Sequence, residues 1–296
     1  MKSGSASSNP PVDHIALEVD PDEHDMPRIA NVALVPAGVF DFDGTKFRWQ
    51  MFRVVIEKFV ELGLMERIVL VKAEAALRAY RNRQGSFDVF VTQQVRFYQD
   101  EMRLRGIRVS DVRFAAAEVI RERGNELHVF PRELAIAAKE VGMECAIISG
   151  SMIEVIEAYA KANGISIYLG TEHPQENGFF TGEKPREWCL EKENALRILA
   201  EKHHLDLQKS FAIGDTLGDV GLFNLVSRQL CFNPNDSLLE LARVKGWTCI
   251  WEKKNVWIVT VPDRNGKLRE IDDLTEILPE PLAIRLAHRL DVVRAR

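Results

Sequence analysis

Apolar and polar positions follow a repeating order along most of the chain, and that order changes character twice. Residues 32–40, VALVPAGVF, are mostly apolar and stop against Asp41, which predicts a buried strand. From Trp49 to about Arg123 the spacing turns helical. Phe52, Val55, Ile56, Phe59 and Val60 share one face of a helix that Gly63 would stop, and residues 76–106 continue in the same style. No strand pattern interrupts this block, which reads as an inserted, all-helical unit. After Phe130 and Pro131, strand-length runs alternate with helical ones. The strands are ECAIISG, ISIYLG, a short NGFFTGE piece, SFAIGD, RQLCFN, TCIWE and VWIVTV. The helices are PRELAIAAKEVG, MIEVIEAYAKANG, LEKENALRILAEKHH and SLLELARVKG. Alternation at this spacing predicts an α/β fold of parallel βαβ units.

The ends differ from the middle. Residues 1–28 are rich in Ser, Pro and acidic groups and read as a disordered arm. Near the other end, IRLAHRLDVVRAR carries Arg285, Arg289, Arg294 and Arg296 on a short amphipathic stretch, expected to be a helix packed on its own domain. The arginines of the helical block (Arg78, Arg81, Arg83, Arg96, Arg103, Arg105 and Arg108) are expected on a solvated face.

Composition narrows the function classes. A chain of 296 residues, 46% hydrophobic, can bury a full core, and a net charge of −5 argues against a nucleic-acid partner. Cys145, Cys189, Cys231 and Cys249 form no CxxC pair and stand beside no histidine cluster, so reduced thiols are expected. The N-terminus has no apolar signal core. The apolar run 29–40 is interrupted by Asn31, Pro36 and Gly38 and is too short to span a bilayer. A cytoplasmic protein without stable membrane insertion is expected; nothing in the sequence encodes an oligomeric state.

The chemistry gathers at three strand ends. One ends in Asp41 and Asp43, one in Ser149–Gly150–Ser151, and a later one in Gly214–Asp215, with Asp219 four residues on. Parallel strands would bring all three to one rim, where ligands bind in open α/β sheets. Lys192, at the start of the helix before the third strand, would reach the same rim. Crowded aspartates need a cation, and a hard cation bound by a few carboxylates and substrate phosphate is Mg²⁺. One carboxylate can then attack phosphorus, while another protonates the leaving oxygen and later activates water. A serine hydroxyl, backbone N–H groups and a lysine suit the charge that spreads over the phosphoryl oxygens. A calcium loop is the competing reading of DxDG, but its further acidic ligands are missing.

Taken together, FDFDGT, AIISGS, EKENAL and AIGDTLGD resemble the four motifs of the haloacid dehalogenase superfamily, in its phosphoserine-phosphatase-like branch (subfamily IB). The resemblance implies a Rossmann-like parallel sheet core with an inserted all-helical cap. It divides the chain into the arm 1–28, a core of 29–45 and 127–262, a cap of 46–126, and a tail with a short helix at 263–296. It further implies that Asp41 is the nucleophile and a Mg²⁺ ligand. Asp43 is then the general acid/base and lends a backbone carbonyl to the metal. Ser149 and Gly150 bind the phosphoryl group, Lys192 neutralises nucleophile and phosphate, and Asp215 and Asp219 complete the metal site. Lys184 competes with Lys192 for the lysine role. Asp43 favours phosphate over halide, because a halide leaves without a proton. The expected activity is Mg²⁺-dependent hydrolysis of a small phosphomonoester through an aspartyl-phosphate. The alternatives are a phosphotransferase using the same intermediate and a non-catalytic binding or regulatory protein of the same fold. The chain departs from the branch at Lys46, usually apolar. It departs again at Gln50, where phosphoserine enzymes carry a glutamate, and at Ser151, where SGS stands for SGG.

Overall fold

The computed structural model describes residues 33–295 apart from 86–88, 91, 94–95, 98–103 and 255. The arm read at 1–28 and part of the block 76–106 lie outside the described residues. Residues 34–296 form one compact unit.

Its centre is an eight-stranded sheet in the order β10-β9-β8-β7-β6-β1-β2-β3. The strands are β1 (Ala37–Phe40), β2 (Glu144–Met152), β3 (Ile167–Thr171), β6 (Phe211–Gly214), β7 (Arg228–Phe232), β8 (Thr248–Lys253), β9 (Val256–Pro262) and β10 (Leu268–Ile271); β4 (Gln175–Glu176) and β5 (Phe179–Phe180) make a separate hairpin. β3, β2, β1, β6, β7 and β8 run parallel, as the strand–helix alternation predicts. β9 and β10 do not: both pair antiparallel. Both connections are short, β8 ending at Lys253 with β9 starting at Val256, and β9 ending at Pro262 with β10 starting at Leu268, whereas a parallel neighbour needs a crossover of about a dozen residues or more. β1 is also shorter than the run 32–40. Val35 makes only an isolated bridge to Leu205, and Pro36 has no N–H to pair.

Side chains alternate across the sheet, and both faces are covered. Val39, Ala146, Ile148, Ala212, Cys231 and Cys249 point to one side, against α6 (Lys192–His203), the short α7 (Val220–Phe223) and α8 (Asp236–Lys245). Phe40, Ile147, Ile213, Leu230, Phe232 and Ile250 point to the other. There they share a cluster with α1 (Met51–Glu61), α3 (Val109–Arg123), α4 (Val129–Glu140), α5 (Ile153–Ala162) and α9 (Glu280–Arg294). Between β1 and β2 the chain thus runs through α1, α2 (Arg67–Arg81), α3 and α4. α1 buries Phe52, Val55, Ile56 and Phe59, the face its spacing predicts, and Gly63 just beyond it adopts φ +71°. The segment 263–296 contains β10 and the fifteen-residue α9. Arg289 of α9 bonds Glu133 and Glu140 of α4, so this helix packs on its own domain.

Candidate active site

The sheet order places β1 between β2 and β6, where the strand order reverses. In register, Phe40 lies opposite Ile147 on one side and Ile213 on the other. The residues that follow on the three strands therefore emerge side by side: Asp41 and Asp43, Ser149 and Ser151, and Asp215. The Asp41 N–H still donates to Ile213 O at 3.0 Å, which ties the first carboxylate to the sheet edge. The chain then turns sharply. Lys46 and Phe47 both donate to Phe42 O, and Gly44 sits at φ +82°. An added Cβ on Gly44 would lie 2.4 Å from Asp215 Oδ2, so only glycine allows the two loops to approach this closely.

Lys192, the first residue of α6, is buried and donates to Asp41 Oδ1 at 2.6 Å and to Asp219 Oδ1 at 2.5 Å. Lys184 is exposed and makes no contact of this kind. Asp219 is fully buried, and its other oxygen accepts from the N–H groups of Asp215 and Thr216, both at 3.0 Å. Asp215 takes a hydrogen bond from the Thr45 hydroxyl at 3.3 Å. Asp41, Asp215 and Asp219 each offer one oxygen, and these lie within 4.8 Å of one another. The Asp43 carboxyl points elsewhere, toward the β2 terminus and α1. Its Oδ1 accepts from Met51 N at 2.6 Å, and its Oδ2 accepts from Ser149 Oγ at 3.1 Å and Ser151 Oγ at 2.7 Å.

Burial controls the electrostatics. It pushes Asp41 up to about 7, with Lys192 pulling down and Asp219 adding to the rise. Asp215 is raised well above the carboxylate range, by burial first and then by Asp41 and Asp219. Asp43 is raised by burial against the pull of its three donors. For Lys192 burial works toward neutrality, but Asp219 and Asp41 outweigh it and raise the ammonium pKa. Three buried carboxylates converging around one lysine remain short of positive charge. Their all-oxygen donor set suits a hard divalent cation.

Sequence spacing singles out Asp41, Asp43, Ser149, Gly150, Lys192, Asp215 and Asp219, and the structure gathers all of them at one rim. Gly150 faces away from Asp43, with Cys189 Sγ 3.2 Å from where its Cβ would stand; its carbonyl accepts from Thr171 Oγ1 at 2.7 Å. Spacing alone gives no role to Thr45 or Ser151. The signal for Ser151 is its place two residues after Ser149, which puts both hydroxyls on one side of a strand.

A doubly wound α/β sheet with an acidic, lysine-bridged rim at its switch point is the class of architecture this chain presents. The family model of haloacid dehalogenase-like hydrolases matches residues 39–224, and the chain belongs to that family. Among curated relatives, phosphoserine phosphatase SerB1 of Mycobacterium tuberculosis is 31% identical over 118 residues, which cover 39% of this chain and 38% of that protein. The match thus spans well under half of that relative. A Streptomyces azureus protein named for inhibition of morphological differentiation is 24% identical over 230 residues, 76% of this chain and 79% of its own. Among solved structures, a Bordetella pertussis Tohama I protein of unknown function superimposes with a TM-score of 0.58 at 17% identity, over 73% of this chain and 98% of its own. That likeness concerns the fold alone. Among the described residues no helix is long and apolar enough to cross a membrane.

Proposed function

We propose that this chain is a phosphatase that hydrolyses small phosphomonoesters through an aspartyl-phosphate at Asp41. The observation that carries the reading is the division of labour between two carboxyls two residues apart. Asp41 faces Lys192 and the acidic cluster, whereas Asp43 is turned away from them and held by hydroxyl and N–H donors. That contrast supports Asp41 as the attacking group and Asp43 as the one that moves a proton.

In the first step an Asp41 oxygen forms a bond to phosphorus and the ester P–O bond breaks. Its electron pair stays on the leaving oxygen, which takes the proton of Asp43. In the second step Asp43 accepts a proton from water as the water oxygen attacks phosphorus. The Asp41–phosphorus bond breaks, releasing phosphate and restoring the Asp41 carboxylate. Lys192 offsets charge on Asp41, and Ser149 with the N–H groups around Gly150 holds the phosphoryl oxygens. Asp41, Asp215 and the Asp43 carbonyl would hold Mg²⁺, with Asp219 behind them. When bound, that ion supplies positive charge to the phosphoryl oxygens. The helices of residues 46–126 serve as the cap that covers the substrate. Gln50, in place of a carboxylate, offers no charge for a substrate ammonium, so the proposal is for the phosphomonoester class.

The test is hydrolysis of p-nitrophenyl phosphate with Mg²⁺ and with a chelator. The wild type is expected to turn over only with the metal, and Asp41→Asn to lose at least about a thousandfold. Equal activity in mutant and wild type would overturn the reading.

A further inference from the structure

Three donors hold the Asp43 carboxyl, and two of them compete for one oxygen. Met51 N–H occupies Oδ1, while the hydroxyls of Ser149 and Ser151 both reach Oδ2, at 3.1 and 2.7 Å. The pairing of β2 with β3 shifts register between Ile148 and Met152, and the serines sit in that irregular stretch. Both are buried, at 0% and 2% exposure. The Ser149 oxygen also accepts the Ser151 N–H at 2.9 Å, which fixes the position of its hydroxyl.

A serine hydroxyl has one proton to give. Once Ser149 donates that proton to a phosphoryl oxygen, it no longer donates to Asp43. Ser151 is the nearer donor and still does. We propose that Ser151 is a positioning residue for the general acid: it keeps Asp43 aimed at the leaving oxygen while the Ser149 proton is engaged by phosphate. A glycine at this place, as in SGG, would leave Asp43 with the Met51 N–H as its remaining donor from this set. The inference rests on the phosphatase reading. It concerns the step in which the ester P–O bond breaks and the Asp43 proton passes to the departing oxygen, leaving Asp43 ionised.

Leaving groups separate this role from a structural one. p-Nitrophenolate departs without a proton, whereas an alkoxide departs only as it is protonated. We would measure kcat/KM for p-nitrophenyl phosphate and for an alkyl ester, β-glycerophosphate, in the wild type, Ser151→Ala and Ser151→Gly, with melting temperatures of each. The alkyl ester is expected to lose about tenfold, a part of the about 10²–10⁴-fold that a positioned acid supplies. The aryl ester should change less than about threefold. Ser149→Ala should instead lower both by similar factors, because it touches the phosphoryl group itself. Equal losses for the two esters in both Ser151 variants, or no loss in either, would overturn the inference and leave the phosphatase reading standing. A wild type active on the aryl ester alone would overturn it too, since no acid would then be at work. A wild type inactive on both esters would overturn the phosphatase reading, and this inference with it.

Discussion

Gly44 shows how little room a single residue has in this site. Its φ of +82° and the 2.4 Å that would separate Asp215 Oδ2 from an added methyl group are independent obstacles to any side chain. Gly44→Ala is expected to cost about 1–3 kcal/mol of stability from backbone strain alone. It should also displace Asp215 and so weaken the proposed Mg²⁺ site, which titration calorimetry with Mg²⁺ would read. Outside the site, Glu154 is buried, its Oε2 meets no hydrogen-bond partner, and burial lifts its carboxyl from 4.5 to about 7. Between those values the unfolded chain has released a proton that the folded chain retains. Stability therefore falls as pH rises through that window, by roughly 3 kcal/mol, and levels off above it. Glu154→Gln should flatten this part of the curve and gain stability at pH 8; identical pH–stability curves for the two proteins would refute the account. At this scale the sequence was legible where chemistry forces an odd residue type onto a strand end, as at Asp41, Asp43 and Asp215. It was not legible at Ser151 or Glu154, common residue types whose surroundings, a carboxylate within reach for one and an unpartnered buried oxygen for the other, are set by distant parts of the chain.

Among the elements, α4 depends on a residue over a hundred positions away. Its first turn is capped not by His128 but by Glu252 on β8. That carboxylate accepts from Val129 N at 3.0 Å and Phe130 N at 2.8 Å, and Pro131 contributes no N–H that needs a partner. The same carboxylate reaches His128 at 3.2 Å. The chain joins itself at this point: Arg48 N donates to Glu126 O and His128 N to Lys46 O, both at 3.0 Å. These two bonds tie the start of the stretch between β1 and β2 to the residues just before α4. Glu252→Ala is expected to destabilise by about 1–3 kcal/mol, because two buried N–H groups lose an ionised acceptor. Urea unfolding of this variant against the wild type would measure it. The helix itself was readable from its apolar spacing, but its cap was not, since the capping residue comes from a distant strand. The antiparallel β8–β9 pair is the reverse case. The short link between two strand-like runs carried the signal, and the rhythm of strand and helix before it obscured the turn.

For the molecule as a whole, function follows from sheet order. β1 lies between β2 and β6, so three separate stretches of chain deliver their polar ends to one place. Parallel pairing was legible from the alternation of elements, and so was the meeting of the strand ends. The reversal of order at β1, which makes the crevice, is written in long-range pairing and not in local pattern. The central claim is that Asp41 carries the phosphoryl group during turnover. Its most direct test is mass analysis of the protein after acid quench during turnover of p-nitrophenyl phosphate with Mg²⁺, using Asp43→Asn to slow release of the intermediate. The account predicts one added phosphoryl group on the peptide containing residues 40–45, located at Asp41 and absent from Asp41→Asn. Turnover without any adduct on that peptide, or an adduct on another residue, would contradict it.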